Sequence, residues 1–248
     1  MARWVAVTLS VGLVALTGCQ MTAPSAQGSG TIVTESRPAS GFTSVAVAGV
    51  GSATLVRGEK EGVVVETDDN LMRFVTVEVR DGVLRLDTGT KAGPGGIRPT
   101  SGVRFTVTFK SLEGISVSGA GDVKAETVES DRFDVSISGA GDVTVERLRT
   151  GALSVAVSGA GDLSLAGETE TQRVTISGAG AYKAGDLRSA SAAIDISGTG
   201  DAVVWATGAL EVHVSGVGSV SYYGEPTVTK SVSGMGDVKA LGMHGTSI

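Results

Sequence analysis

In its C-terminal half the chain alternates between apolar and polar residues, and glycine-rich tetrapeptides interrupt the alternation at regular intervals. In one typical segment Phe133, Val135 and Ile137 lead into Ser-Gly-Ala-Gly, after which Val143 and Val145 alternate again. Alternation of this kind over four to six residues, rich in Val and Ile, is typical of a strand with one buried face. The pattern therefore predicts short strands separated by corners.

The tetrapeptide Ser-Gly-x-Gly is an internal repeat. Its serines stand at Ser118, Ser138, Ser158, Ser177, Ser197, Ser215 and Ser233, so the spacing shortens slightly after Ser197. A period of 18–20 residues holds two strands of about five residues and their corners, but it leaves no room for a crossover helix. It favours a parallel solenoid in which each repeat is one coil, stacked about 4.8 Å above the last.

We therefore expect an all-β fold, a right-handed parallel β-helix (β-solenoid) with about seven coils of 18–20 residues and a less regular β-rich N-terminal part. The right-handed winding is chosen because parallel crossovers are overwhelmingly right-handed. An up-and-down barrel of hairpins remains the alternative. Such a barrel gives no reason for one corner to recur in register.

The alternation also predicts which side chains fill the interior. Val135 and Ile137 should point inward on one side of a coil, Val143 and Val145 on the next, and Leu148 on a short third side. The two glycines of each corner permit either a positive φ or a close approach of two backbones. A structural role therefore accounts for most of the glycine in the chain.

Residues 41–113 are less regular but also rich in β patterns. Strands are predicted at 63–65, 74–79, 83–86 and 103–109, a hairpin turn at Asp81-Gly82, and a long mobile loop at 88–102. We expect this half to form wider coils or a capping sheet over one end of the solenoid. An uncovered end would expose unpaired strand edges to association.

The N-terminal segment 1–18 has the pattern of an export signal. A basic start precedes an apolar run over residues 5–16, which as a helix would reach about 18 Å, too short for the ~30 Å core of a membrane. The run ends in Leu-Thr-Gly-Cys, which resembles the lipobox of bacterial lipoproteins and implies cleavage before Cys19 and acylation of that cysteine. An ordinary signal peptide followed by a chance cysteine is the alternative.

The domain organisation follows from these patterns. We predict a lipoprotein signal peptide at 1–18, a lipidated flexible tether without secondary structure at 19–40, and one solenoid domain at 41–248, regular from 114 onward. Several acyl chains on Cys19 would anchor the protein stably at a membrane of the cell envelope. Gln20 stands where an aspartate commonly retains lipoproteins in the inner membrane, which favours the outer membrane in a Gram-negative source.

Composition narrows the classes of partner. The 248 residues carry a net charge of −6, which disfavours nucleic acid, since phosphate binding needs a basic patch. One cysteine permits no internal disulfide, and two histidines leave little for a metal site. We expect no cofactor and no resident metal.

The repeated Val/Ile-Ser-Gly-x-Gly-Asp-Val resembles the head GIN domain family, also called the putative auto-transporter adhesin family. The segments Asp68-Asp69-Asn70-Leu71 and Asp81-Gly82-Val83-Leu84 are similar to the N-terminal half of that family, and the resemblance covers about residues 41–245. It implies a cell-envelope protein with a right-handed β-helical fold, often lipid-anchored. No catalytic or binding residues can be carried over from the family to this chain. We interpret the chain as a non-catalytic surface for adhesion, envelope organisation or the binding of a protein or glycan.

Asp122, Asp142 and Asp162 occupy the same point of three consecutive coils, and the acidic row is interrupted at Ala181 and Ser219. Our first interpretation is structural, with each carboxylate accepting backbone N–H bonds from its own corner. Calcium binding between neighbouring carboxylates is the second. The third is a carbohydrate-active enzyme of the glycoside hydrolase or lyase type, because retaining hydrolases hold two carboxyls ~5–5.5 Å apart.

The histidines and tyrosines suggest no further site. His213 is predicted to be an exposed surface residue beside Glu211, and His244 has no evident partner in the sequence. Tyr182 and Tyr222 fall on inward positions, where filling the core is the simpler role.

Overall fold

The computed structural model describes residues 25–245. This part of the chain contains seventeen strands and two 3₁₀ turns, at Met72–Phe74 and Thr90–Ala92. The strands are β1 (Ala26–Gln27), β2 (Ile32–Arg37), β3 (Ser44–Arg57), β4 (Gly62–Asp68), β5 (Val75–Arg80), β6 (Val83–Thr88), β7 (Ile97–Arg98), β8 (Arg104–Phe109), β9 (Gly114–Val117), β10 (Ala120–Ile137), β11 (Val143–Val157), β12 (Leu163–Ile176), β13 (Tyr182–Ile196), β14 (Ala202–Val214), β15 (Val217–Tyr223), β16 (Thr227–Val232) and β17 (Met235–Gly242).

The C-terminal half is a parallel β-solenoid of about six turns, which confirms the predicted fold class. Each of the long strands β10–β14 follows most of one coil and bends at its corners. Val123 pairs in parallel with Val143, and Val143 pairs in turn with Leu163. A barrel of antiparallel hairpins is excluded, since strands β9–β17 pair only in parallel.

The corner serines form the predicted column. The N–H of Ser138 donates to the carbonyl oxygen of Val117 at 2.9 Å, and the N–H of Ser158 donates to that of Ile137 at 2.8 Å. Later corners repeat the same bond one coil at a time. Backbone hydrogen bonds therefore continue through the corners, so that each coil is fixed to the last along most of its length.

Close stacking of the corners explains their glycines. A Cβ built on Gly159 would lie 1.8 Å from the carbonyl oxygen of Gly139, and one on Gly139 would lie 1.8 Å from that of Gly119. The φ angles of these glycines are not positive. Of the two roles expected for the glycines, the structure uses the close approach of backbones.

The interior is filled as the alternation predicts. Val135, Ile137, Val143, Val145 and Leu148 are all buried, on three sides of one coil. Equivalent positions in neighbouring coils are buried too, so that one continuous apolar core runs the length of the solenoid. Its burial is the main force that stabilises a fold of this kind.

The N-terminal half caps the solenoid. Strand β8 pairs in parallel with β3, and β4 then pairs antiparallel with both β8 and β2. The predicted strands in this half are confirmed as β4, β5, β6 and β8. Asp81 at φ 51° and Gly82 at φ 75° form the tight turn between β5 and β6, as their sequence predicts.

Two predictions in this half are wrong. Residues 26–37 of the expected tether contain β1 and β2, and the expected loop at 88–102 contains a 3₁₀ turn and β7, which pairs with β1. The physical reason is the carboxylate of Asp68. It accepts the N–H of Gly30 at 2.8 Å and that of Thr100 at 2.9 Å, so that it fixes both segments to the end of β4.

Candidate functional site

The predicted aspartate column lies on the outer surface, directly after each glycine corner. Oδ1 of Asp122 accepts the N–H of Asp142 at 3.0 Å, and Oδ1 of Asp142 accepts the N–H of Asp162 at 2.8 Å. The donor thus belongs to the next coil, whereas the sequence interpretation placed it in the same corner. That detail of the interpretation is wrong, although the role in binding backbone N–H groups is as expected. Each carboxylate joins two coils.

Asp162 stands at the first interruption of the column. Its Oδ1 accepts the N–H of Ala181 at 2.9 Å, and its Oδ2 accepts a hydrogen bond from Nζ of Lys183 at 2.7 Å. The hydrogen bond from the Lys183 ammonium, followed by that from the Ala181 N–H, lowers the pKa of the Asp162 carboxyl. A general acid needs a raised pKa at neutral pH, so the environment of Asp162 works against that role.

The other aspartates of the row also bind backbone. Oδ1 of Asp201 accepts the N–H of Ser219 at 2.8 Å, across the second interruption. Asp237 in the last coil accepts the N–H of its own neighbour Val238 at 2.8 Å. Within residues 25–245, no three His, Cys, Asp or Glu side chains come together in a set able to hold a metal ion.

A second cluster lies where the repeat spacing becomes shorter, around the coils that follow Ser197. The ring of His244 stacks on Trp205, with centroids 4.2 Å apart and ring planes at 6°, and meets the edge of Tyr223 at 5.0 Å. Its Nε2 lies 3.0 Å from Oδ1 of Asp186. We call these four residues, together with Gly185, the aromatic notch.

A change in strand register builds the notch. Ala184 pairs with Val204, but the next pair is Arg188 with Trp205, so that residues 185–187 have no partner in β14. The three extra residues overhang the shorter coils that follow. Beneath them Trp205 pairs with Tyr223, and the ring of Tyr223 fits against Gly185, where a Cβ would lie 3.2 Å from it.

A buried polar chain supports the notch from inside the solenoid. The hydroxyl of Tyr182 donates to Oε1 of Gln172, and Nε2 of Gln172 donates to Oγ of Ser189, both at 2.8 Å. The Ser189 hydroxyl in turn donates to the carbonyl oxygen of Trp205 at 2.8 Å. Burial raises the pKa of the Tyr182 phenol, which keeps it protonated as a donor. The chain fixes the backbone beneath the Trp205 ring.

Sequence reasoning missed the notch. His244 has partners from three earlier coils, whereas the sequence offered none nearby. Tyr182 is fully buried, as its inward position predicted, and Tyr222 packs partly against the core. The signal that could have located the notch is the fall in repeat spacing after Ser197, which coincides with the aromatic residues of β14 and β15.

Comparison with known proteins places the chain in a family. Residues 41–226 match the family model described as "Putative auto-transporter adhesin, head GIN domain". The chain belongs to this family. A search of curated proteins finds no match.

Solved structures share the GIN-domain fold described above. A putative adhesin from Bacteroides fragilis is 29% identical, with 87% of this chain and 99% of that chain covered and a TM-score of 0.81. A putative lipid binding protein from Parabacteroides distasonis (21% identity, coverage 88% and 100%, TM-score 0.72) and a putative adhesin from Parabacteroides merdae (21%, 88% and 100%, 0.69) show the same fold.

The remaining residues singled out in the sequence lie apart from both clusters of this GIN domain. His213 is exposed on an outward row of β14, as predicted. Cys19 lies outside the described residues, as does the whole expected signal peptide. Within residues 25–245, no helix has the length and apolar composition needed to cross a membrane.

Proposed function

We propose that this chain is a non-catalytic lipoprotein of the cell envelope, whose solenoid presents a rigid outer surface for adhesion, envelope organisation or the binding of a protein or glycan. The observation that carries the proposal is the continuous ladder of backbone hydrogen bonds through the coils and their corners. A scaffold of this kind holds surface side chains at fixed spacing over many coils, as recognition of an extended partner requires. Membership of an adhesin-type family agrees with this role.

The lipobox-like Leu-Thr-Gly-Cys supports an anchor at Cys19. Strand β1 begins at Ala26, so seven Cα–Cα steps, with six residues between, lead from Cys19 to the folded domain. At about 3.5 Å per residue their greatest reach is roughly 25 Å. A lipidated chain would therefore hold its domain close to the membrane.

Several charges on the coils pair with one another. Lys124 lies 2.6 Å from Glu146, and Arg149 lies 3.7 Å from Glu168, each pair joining neighbouring coils. Pairs of this kind leave a surface of mixed sign rather than one strong field. Recognition by shape and hydrogen bonding fits such a surface better than electrostatic steering of a highly charged partner.

The enzyme alternative needs free carboxyls of contrasting pKa. In Asp122, Asp142 and Asp162 one oxygen accepts an N–H from the next coil, and Asp162 also pairs with Lys183. The three side chains therefore share one structural role, the binding of a backbone N–H of the next coil. This geometry favours the non-catalytic interpretation of the column.

The proposal is tested in a bacterial host that expresses the full chain. Wild type should incorporate radioactive palmitate and sediment with the envelope, whereas Cys19→Ser should lose the label and the sedimentation. The neighbouring change Gln20→Ser keeps the cysteine and should preserve the label. Label retained by Cys19→Ser would contradict the anchor.

A second arm tests the absence of catalysis. The triple variant Asp122→Asn, Asp142→Asn, Asp162→Asn retains an acceptor oxygen at each site, so its melting temperature and its crosslinks to envelope partners should match wild type. Both proteins are incubated with envelope polysaccharides, and released reducing ends are measured. Release by wild type that the triple variant lacks would establish the enzyme alternative instead.

A further inference from the structure

The aromatic notch combines three features that together indicate a ligand. The Trp205 face is large and flat, the Tyr223 ring stands edge-on beside it, and the Asp186 carboxylate lies at the rim with its side chain 78% exposed. A ring that carries a polar group at its edge is bound by an apolar surface against its face and a hydrogen-bond partner beside that polar group. The notch offers both within one step of the solenoid.

In the structure a ring of the protein itself fills this place. The imidazole of His244 lies parallel to the Trp205 face and its Nε2 lies within hydrogen-bond distance of Asp186. The notch is therefore wide enough for a planar or chair-shaped ring of similar size. The position of the imidazole also shows which contacts a ring in the notch makes. These are a stack on the Trp205 face and a hydrogen bond to the Asp186 carboxylate at the rim.

The segment that carries His244 follows β17, which ends at Gly242, and residues 243–245 belong to no strand. Gly242 has a φ of +89°, and neither Gly242 nor Gly245 has a neighbour within 4 Å of an added Cβ. Met243 is 73% exposed. Since a hydrogen bond to an exposed carboxylate and the ring contacts with Trp205 and Tyr223 are individually weak, a ligand of moderate affinity can displace the imidazole.

We propose that the aromatic notch is a carbohydrate-binding site for a neutral pyranose ring, and that His244 occupies it when no sugar is bound. The C–H face of a pyranose lies on Trp205, and a hydroxyl at its rim donates to Asp186. The Asp186 carboxylate disfavours an anionic sugar, because two negative charges at hydrogen-bond distance repel each other. The inference rests on the proposed function, for which it supplies a site and a class of ligand.

Fluorescence measures this site directly. The chain contains two tryptophans, Trp4 and Trp205. In a full chain with Trp4→Phe, all tryptophan emission comes from the notch. Neutral glycans that bind this protein on a glycan array are then titrated against it, with a change in Trp205 emission as the readout.

Substitutions at the notch should change affinity in opposite directions. His244→Ala removes the competing ring and should strengthen sugar binding about tenfold, since less of the protein is in the blocked state. Its matched control is His213→Ala, the same substitution at the exposed histidine on another side of the solenoid, which should leave affinity unchanged. Trp205→Ala should weaken binding at least about tenfold through loss of the stacking surface.

Trp205→Ala lacks the fluorescent reporter, so its affinity is read on the array, and its fold is checked by circular dichroism. If it fails to fold, the pair His244→Ala and His244→Ala with Asp186→Ala replaces it. There the added change removes only an exposed side chain, and affinity should fall several-fold.

Three outcomes would overturn the inference. They are weaker binding by His244→Ala than by wild type, no pyranose bound by the His244→Ala protein, and sugar binding that Trp205→Ala leaves intact. The last outcome would still agree with the proposed function, because it would place glycan binding elsewhere on the solenoid. Palmitate label retained by Cys19→Ser, in contrast, would contradict the proposed function without touching the notch.

Discussion

Asp68 shows how one buried carboxylate decides where the folded domain begins. It is fully buried, and its two oxygens accept hydrogen bonds from Gly30 and from the N–H and hydroxyl of Thr100. The Thr100 hydroxyl, helped by the two backbone N–H groups, lowers the pKa of the Asp68 carboxyl although burial opposes the shift. The charged form therefore holds the segments before β2 and after β7 in place.

The lowered pKa sets the sign of a pH dependence. A carboxyl whose folded pKa lies below its unfolded value, about 4, stabilises the fold above that pH and loses the effect as pH falls further. Asp68→Asn presents an amide to groups that are themselves donors, so we expect it to lower the melting temperature by about 5 °C at pH 7. Thermal melts from pH 7 to pH 3 should show the gap to wild type narrowing in acid.

The control for this experiment is Asp81→Asn, at the exposed turn between β5 and β6. Its φ of 51° suits asparagine as well as aspartate, so its melts should follow those of wild type. A gap between Asp68→Asn and wild type that stays constant down to pH 3 would contradict the role assigned to the charge.

At the scale of the element, the corner glycines form a column in which each one packs against the backbone of the glycine one coil earlier. An added Cβ at Gly159 would meet the carbonyl oxygen of Gly139 at 1.8 Å, and backbone on both sides cannot move away without breaking the ladder. We expect Gly159→Ala to destabilise the protein by about 3 kcal/mol or more. Gly62→Ala in β4, where nothing lies within 4 Å, should change the free energy of unfolding by less than about 1 kcal/mol. Urea unfolding measures both, and similar values for the two variants would contradict the steric argument.

The elements differ in how far their sequence predicts them. Spacing and alternation were enough to predict the corner at Ser138 and the burial of Val135, because coil stacking repeats the same local rule. The contact between Asp68 and Gly30 spans 38 residues and follows no repeat, so the pattern around Gly30 indicated a tether. The notch was hidden for the same reason, since His244 meets Asp186 across 58 residues.

On the scale of the whole molecule, the two ends of the solenoid are unlike. The N-terminal end is covered by β2, β4 and β8, whereas within residues 25–245 no strand pairs with the outer edges of β16 and β17. At this end Val232 is 41% exposed, although its partner Val214 one coil earlier is fully buried. The unpaired edges of β16 and β17 can therefore pair with a strand edge of another molecule.

Lys230 opposes that pairing. It pairs with Val212 on an inward row, so that a charge stands where each earlier coil has a buried aliphatic side chain. Inward charges on edge strands are a known defence against association.

We therefore expect Lys230→Val to associate end to end at concentrations where wild type sediments as a single species in analytical ultracentrifugation. Lys239→Val adds the same side chain on β17, one strand away and facing outward in register with Ser221, and should sediment as wild type does. Equal sedimentation of the two variants would contradict the role assigned to the inward position of Lys230.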